Sequence, residues 1–268
     1  MTSFAVAPRK APKSYDAATI GVLWRRDVMR FLRQPSRVIG ALGQPIIVWL
    51  VIGSGMASTF KMPGSDVGYL EFFFPGVVMM VLLFASIFST VSVIEDRHQG
   101  FLQAVMAGPG SRTALVLGKC AGSASVALMQ AGLLLCLAPM AGYSILQINW
   151  PLLAATLALT SFGLTALGVA VAWWLDNLQA FHAIQMTVLV PLWLVSGAMF
   201  PAGDNRVFAA IMRVNPMSYA VSAARHAFYS GHASVGVTTG GPLVDLVVIG
   251  ACTVVCVVLA VTVCARKS

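Results

Sequence analysis

The sequence predicts an all-α integral membrane protein with six transmembrane helices, and its composition is the first reason. Of the 268 residues, 58% are hydrophobic and only 10% are charged, whereas roughly 25% of the residues in a soluble domain are charged. The mean hydropathy is +0.85. Because a domain of this size exposes a large area to water, it cannot hide so much apolar surface. The composition therefore excludes a soluble enzyme, a nucleic-acid-binding module and a disordered chain.

Long runs without charge locate the predicted spans. A spanning helix needs ~20 mostly apolar residues, because the hydrocarbon core is ~30 Å thick and a helix rises ~1.5 Å per residue. Four charge-free runs each fit one helix, and the run 120–175 is long enough for two. Turn-forming residues divide that run between Ala141 and Pro151. The six predicted spans, which form one transmembrane domain over 36–268, are 38–60, 72–94, 114–140, 151–175, 180–202 and 243–265.

The basic residues predict the orientation of these spans. Lysine and arginine concentrate on the cytoplasmic side of membrane proteins. If both termini are cytoplasmic, 13 of the 17 basic residues lie on that side, which accounts for the net charge of +8 without a nucleic-acid partner. An even number of spans places both termini on one side. We therefore expect a multi-pass protein of the cell (inner) membrane with both termini in the cytoplasm.

The N-terminal segment predicts a short tail followed by an amphipathic helix. Residues 1–15 are polar, and we expect them to be disordered. Over 16–35, a helical period places five apolar residues on one face, Ile20, Leu23, Trp24, Val28 and Phe31. Another face carries Arg26, Arg30 and Arg33. This pattern is typical of a helix that is capped by Asp16, ends before Pro35 and lies in the interface with its apolar face in lipid. A plain basic flank of the first span is the alternative.

The connection between the second and third spans predicts a short cytoplasmic helix. It opens with polar residues just where an apolar helix leaves the membrane, at Glu95 to Gln99. An apolar stripe at helical spacing follows, made of Phe101, Leu102, Val105 and Met106. Gly108-Pro109-Gly110 then stops the helix. A short helix with an apolar face, held between two spans, can transmit motion between a soluble partner and the membrane domain.

Two motifs carry a family resemblance. The first is Glu-x-Arg-x-x-Gly from Glu95, then Phe-Leu-x-x-Val-Met-x-x-Pro-x-Ser-Arg from Phe101, then Leu117-Gly118-Lys119. The second is Asn215-Pro216 with Tyr219 and Arg225, which resembles an "NPxxYxxxxxR" segment. Together, in this order, they resemble the membrane subunit of type-2 ABC exporters, the ABC-2 type permeases. The similarity covers nearly the whole chain.

The resemblance implies two functional segments. In such permeases the short helix after the second span docks on the ATP-binding subunit, which here implies a coupling contact formed by Glu95, Asp96, Arg97, Gln99, Gly100, Phe101 and Leu102. It also implies a re-entrant outer segment between helices 5 and 6 that acts as a gate, with Asn215, Pro216, Tyr219 and Arg225. The alternatives are a solvated helix end at the first site and an amphipathic surface loop at the second.

The chain lacks the residues of an ATPase. Gly118-Lys119 resembles the end of a phosphate-binding G-x-x-x-x-G-K-[ST] loop, but Thr113 stands where the first glycine should be. We therefore expect no catalytic residue, metal or cofactor in this chain, with ATP and Mg bound by a separate ABC subunit.

The expected partners are that subunit, a second permease in a homodimer or heterodimer, and membrane lipids. The expected function is export of a lipophilic, drug-like or lipid-linked substrate; an ion-coupled transporter or a six-span intramembrane enzyme is the alternative.

Overall fold

A computed structural model describes residues 13–57, 67–108, 110–175, 177–201, 205–229 and 240–266. Within these ranges the chain is all helical, without strands. The helices in chain order are α1 (Lys13–Leu32), α2 (Pro35–Met56), α3 (Tyr69–Ser89), α4 (Val91–His98), α5 (Phe101–Ala107), α6 (Arg112–Leu135), α7 (Trp150–Trp174), α8 (Leu178–Leu194), α9 (Arg206–Val214), α10 (Pro216–Phe228) and α11 (Pro242–Arg266). A 3₁₀ turn, Ala138–Ala141, follows α6. Most of the predicted tail lies outside the described residues.

In the part of the chain that the structure describes, five helical segments are long and apolar enough to cross a membrane. They are α2, α3 continued by α4, α6, α7 and α11. The fifth predicted span, 180–202, corresponds to α8, which is apolar but has only 17 residues. Pro191 lies inside this helix, and Gly197 has a positive φ of 79°, so the chain turns before a full span is complete.

The core surrounds α3, whose aromatic residues Phe72, Phe73 and Phe74 are all fully buried. Helices α2, α6, α7 and α10 pack around it. The long helices α7 and α11 pair closely where Gly163 meets Thr253, whose hydroxyl donates a hydrogen bond to the Leu159 carbonyl at 2.9 Å. Helices α2 and α11 also present wide exposed apolar faces, as expected for helices in contact with lipid.

Helix α1 packs along α6, a placement that differs from the predicted one. It begins at Lys13, so Asp16 lies in its first turn and does not cap it. The Asp16 carboxylate instead accepts a hydrogen bond from the backbone N–H of Ser111, just before α6 begins. Eleven residues further along both helices, Asp27 approaches Gly122. The two helices therefore run side by side in the same direction.

The apolar face of α1 is directed largely at the protein. Leu23 and Phe31 are buried, and Leu23 lies against Gly118, where the missing side chain lets the helices approach. Trp24 is 43% exposed, and its indole N–H donates to the Ser125 hydroxyl at 2.9 Å. An amphipathic pattern cannot distinguish an apolar face that meets lipid from one that meets another helix, which is why the sequence predicted lipid contact for these residues.

The predicted outer segment divides at Asn215, as its Asn-Pro pair predicts. Helix α9 ends one residue before it, and α10 begins one residue after it. The Asn215 side chain accepts a hydrogen bond from Met217 N–H at the start of α10 and donates one to the Leu192 carbonyl of α8 at 2.7 Å. Most of α10 is buried, whereas α9 exposes Val207 and Ile211.

Candidate functional site

A tight turn joins α4 to α5, the helix that the apolar stripe predicts. Gly100 adopts a left-handed conformation with φ of 73°, and α5 begins at the next residue. Within α5, the Leu102 side chain is fully buried, while Phe101, Val105 and Met106 are half-buried. Gln103, Ala104 and Ala107 are exposed on the opposite side. The connection is thus anchored by its apolar stripe and leaves a polar or small-residue face open.

A buried cluster of charges holds this connection against α1 and α6. The Lys119 ammonium of α6 lies 3.1 Å from both carboxylate oxygens of Asp27 in α1 and 2.5 Å from Asp96 in α4. Arg26 donates two hydrogen bonds to Asp96, at 2.7 and 2.6 Å. Lys119 and Asp96 are fully buried. Two cations and two carboxylates therefore balance at the junction of three helices.

The cluster extends to α5 and to the surface. The Arg26 guanidinium lies over the Phe101 ring, 3.8 Å from its centroid, a favourable cation–π geometry. Arg30 pairs with Glu95 at 2.8 Å, and both side chains are 34% exposed. Burial raises the pKa of the Asp27 carboxyl, and the neighbouring Lys119 ammonium opposes this shift. Arg26 and Arg30, expected at a membrane surface, therefore bind carboxylates of α4, while Arg33 is exposed.

The predicted coupling residues fall into two groups. Asp96 and Leu102 are fully buried and contact other parts of this chain. Arg97 donates to the Trp173 carbonyl at 3.3 Å and lies near the ring of that tryptophan. The remaining predicted residues, Glu95, Gln99, Gly100 and Phe101, are exposed or half-buried, and Arg97 is also half-buried. These five residues form the accessible part of the predicted contact, beside the open face of α5.

The predicted outer-gate residues lie in or beside α10. Arg225 is buried, donates to the Gly197 and Ala198 carbonyls at 2.8 and 3.2 Å, and lies over the Phe72 ring at 4.1 Å. It therefore binds the irregular turn that follows α8. Tyr219 donates to the Arg213 carbonyl at 2.8 Å and so links α10 to α9.

Two acids flank this segment in the sequence, Asp204 before it and Asp245 after it. Asp245 is buried and lies 3.9 Å from the imidazole of His226. Asp204 lies outside the described residues.

A cavity of about 630 Å³ lies between α1, α2, α3, α4, α6 and α8. Its apolar wall includes Met80, Phe84 and Phe88. Two polar side chains of α6, Ser123 and Gln130, are buried at its edge, and the Ser123 hydroxyl has no hydrogen-bond partner among the described residues. Asp27, Arg30 and Glu95 line the end nearest the charged cluster. The cavity thus combines an apolar body with polar groups, as small-molecule sites usually do.

Substitution of Gly100 tests the turn between α4 and α5. We expect Gly100→Ala to destabilise it by roughly 1–2 kcal/mol, because a side chain disfavours the left-handed conformation. Faster amide hydrogen exchange in α5 would report the change. Gly21→Ala is the matched control, because Gly21 is helical and an added methyl group there meets open space. Equal protection of α5 in Gly100→Ala and wild type would contradict the expectation.

Comparison with known proteins identifies the family. The ABC-2 type transporter family matches residues 18–229. The chain is 23% identical to a transport permease, ycf38, of Cyanophora paradoxa over 80% of this chain and 74% of the relative. It is 24% identical to Nodulation protein J of Sinorhizobium fredii over 76% and 79% of the two chains. It is also 25% identical to the daunorubicin resistance ABC transporter permease protein DrrB1 of Streptomyces coeruleorubidus, over 84% and 79%. The chain therefore belongs to the ABC-2 type transporter family, whose members are membrane transport permeases.

Proposed function

We propose that this chain is the transmembrane permease subunit of an ATP-driven exporter. Two copies, or one copy and a related permease, assemble with a separate ABC subunit that binds ATP and Mg. The chain crosses the inner membrane six times, with α8 as part of the fifth span, and α9 and α10 form the re-entrant outer segment. ATP hydrolysis takes place in the partner, and this chain receives the resulting motion.

The observation that carries the proposal is the α4–α5 connection. It is a short helix with an open face, and its other face is fixed by Leu102 and by the charged cluster. A flexible loop would absorb a push from a partner, whereas a helix anchored on two neighbours passes it on. Gln99 and the exposed α5 residues Gln103, Ala104 and Ala107 form the docking surface.

A matched pair of substitutions tests the docking surface. Gln103→Arg places a large cation on the exposed face of α5, and Gln147→Arg makes the same change in the loop between α6 and α7. In the presence of the partner ABC subunit, we expect Gln103→Arg to lose co-purification and ATP-driven transport while the protein still inserts. Gln147→Arg is expected to retain both. If Gln103→Arg retains both co-purification and ATP-driven transport, docking at α5 is contradicted.

The cavity supports a lipophilic or drug-like substrate. Its apolar wall suits a hydrophobic body, and its polar groups would orient the substrate. A relative named for daunorubicin resistance supports the same class. Daunorubicin is therefore the first compound to test, by its ATP-dependent accumulation in inside-out vesicles that carry both subunits. No ATP-dependent uptake of daunorubicin or of other amphipathic compounds would count against this substrate class.

The orientation of the chain has its own test. Because 13 of the 17 basic residues lie on one side when both termini are cytoplasmic, we expect that topology. Reporter fusions after residues 14, 64, 110, 147, 177 and 239 and at the C-terminus should alternate between inside and outside, starting inside. A periplasmic C-terminal reporter would show that α8 does not complete a span.

A further inference from the structure

Asp96 joins three helices that are distant in the sequence. Its Oδ2 atom accepts hydrogen bonds from Lys119 of α6 and from Arg26 of α1, and its Oδ1 atom accepts a second bond from Arg26. The carboxylate is fully buried and sits two residues before the end of α4. A bidentate arginine pair fixes orientation as well as distance. The position of α4 relative to α1 and α6 is therefore set at one side chain.

The contacts of Arg26 also fix the position of α5, which lies beyond the Gly100 turn. The same guanidinium that binds Asp96 lies over the ring of Phe101, the first residue of α5. Helix α1 thus contacts the connection on both sides of the turn. By contrast, the neighbouring Glu95 is half-exposed and contacts α1 through the solvent-accessible Arg30. Two adjacent acids of α4 therefore bind the same helix in different dielectric surroundings.

Separation of these helices would leave buried charges without partners. A charge in a protein interior is strongly disfavoured unless it is paired. Because Lys119 and Asp96 have no access to water, α4 cannot slide gradually away from α6 without leaving these buried ions unpaired. The helices therefore either move together or separate completely.

We propose that Asp96 is a positioning residue that binds α4 and α5 to α1 and α6, so that these four helices move as one rigid body. A displacement of α5 by a partner is then passed to α1 and to the whole of α6. This assigns Asp96 an internal role in place of the contact with the ATP-binding subunit that the sequence predicted. The ATP-driven part of the proposal rests on the proposed function, whereas the rigid body does not.

The first test uses this chain alone in lipid nanodiscs. Spin labels at Val22 in α1, Gln103 in α5 and Leu133 in α6 occupy exposed positions. Electron paramagnetic resonance measures the distances from the label at Gln103 to each of the other two labels. In the wild type we expect one narrow distribution for each pair. Asp96→Asn should broaden both and shift them to longer separations, because an amide presents one acceptor oxygen and turns its own N–H donors toward Arg26 and Lys119.

Matched controls separate positioning from folding. Asp96→Asn leaves the Lys119–Asp27 pair intact, and Arg26 is accessible enough to be hydrated, so no buried ion loses its only partner. Glu95→Gln makes the same acid-to-amide change one residue earlier and should leave both distributions unchanged. Asp96→Ala, which removes every acceptor, should reproduce the effect of Asp96→Asn. Wild-type distributions in both Asp96 variants would overturn the proposal.

The second test adds the ABC subunit in nucleotide-free and ATP-bound states. For this test the label at Gln103, which lies on the docking surface, is replaced by one at the exposed His98 at the end of α4. A label at the exposed Val247 of α11 provides a reference outside the rigid body. In the wild type, the His98–Val247 distance should shift with nucleotide while the Val22–His98 distance stays constant. In Asp96→Asn, the Val22–His98 distance should shift as well. A nucleotide-dependent Val22–His98 distance in the wild type would overturn the rigid body. If no distance responds to nucleotide, the proposed function fails and the first test alone decides.

Discussion

Lys119→Met is expected to destabilise the protein by about 3–5 kcal/mol, the range measured when one partner of a buried ion pair is removed. The methionine side chain fills a similar volume but leaves Asp27 and Asp96 facing each other without the ammonium between them. Arg26 still compensates Asp96, so most of the cost falls on Asp27. A large drop in the unfolding temperature of the purified protein in detergent would report this.

A compensating substitution sharpens that experiment. In Lys119→Met with Asp27→Asn, the remaining cluster is Arg26 with Asp96, which is again balanced. We expect the double variant to recover most of the lost stability, since a neutral amide is much less costly to bury than a charge. If Lys119→Met unfolds at the wild-type temperature, or if the double variant is no more stable than the single one, the cluster does not stabilise the fold in this way.

Gly76→Ala is expected to disrupt the contact between α3 and the turn that follows α8. An added methyl group would lie 2.7 Å from the Ala198 carbonyl oxygen and 3.0 Å from its carbon. Both are backbone atoms, which cannot rotate away as a flexible side chain can. The Trp193 indole also donates to the Gly76 carbonyl at 2.9 Å, so a shift of α3 would strain that bond. Overpacking of this kind costs typically ~1–3 kcal/mol.

Gly132→Ala is the matched control for this substitution. Gly132 also lies within a long helix, but a methyl group added there meets no atom within 4 Å. Because alanine favours helix more than glycine does, we expect Gly132→Ala to be neutral or slightly stabilising. The unfolding temperature should therefore fall in Gly76→Ala and stay at or slightly above the wild-type value in Gly132→Ala. Equal behaviour would show that α3 and the turn after α8 are not packed tightly at Gly76.

Much of the helical plan could be predicted from local sequence. Charge-free runs identify the long apolar helices, and the Asn215-Pro216 pair marks the boundary between α9 and α10, because proline suits the first turn of a helix and asparagine caps it. The short helix α5 follows from its apolar spacing and its flanking glycines. These features depend on neighbouring residues, so a pattern within a few turns is sufficient to find them.

The charged cluster could not be predicted in this way. Asp27 looks like one more polar residue of an amphipathic helix, and Lys119 looks like a basic residue at the start of a span. Their role as an ion pair follows only from their contact in the fold, and 92 residues separate them in the sequence. A lysine seven residues inside α6 was the available signal, since a charge at that depth requires a partner. The glycines that admit α1, at positions 118 and 122, form a small-residue pattern with Ala114, which indicates close helix packing but not which helix packs there.

The packing of α1 against α6 also fixes an order of events during synthesis. At translation rates of about 5–20 residues per second, the 92 residues between Asp27 and Lys119 take roughly 5–20 s to be made. Throughout this interval α1 has neither its partner helix nor the cation that neutralises its carboxylate. Helix α1 is therefore synthesised well before its partner, and it can reach its final place against α6 only after α6 has been made.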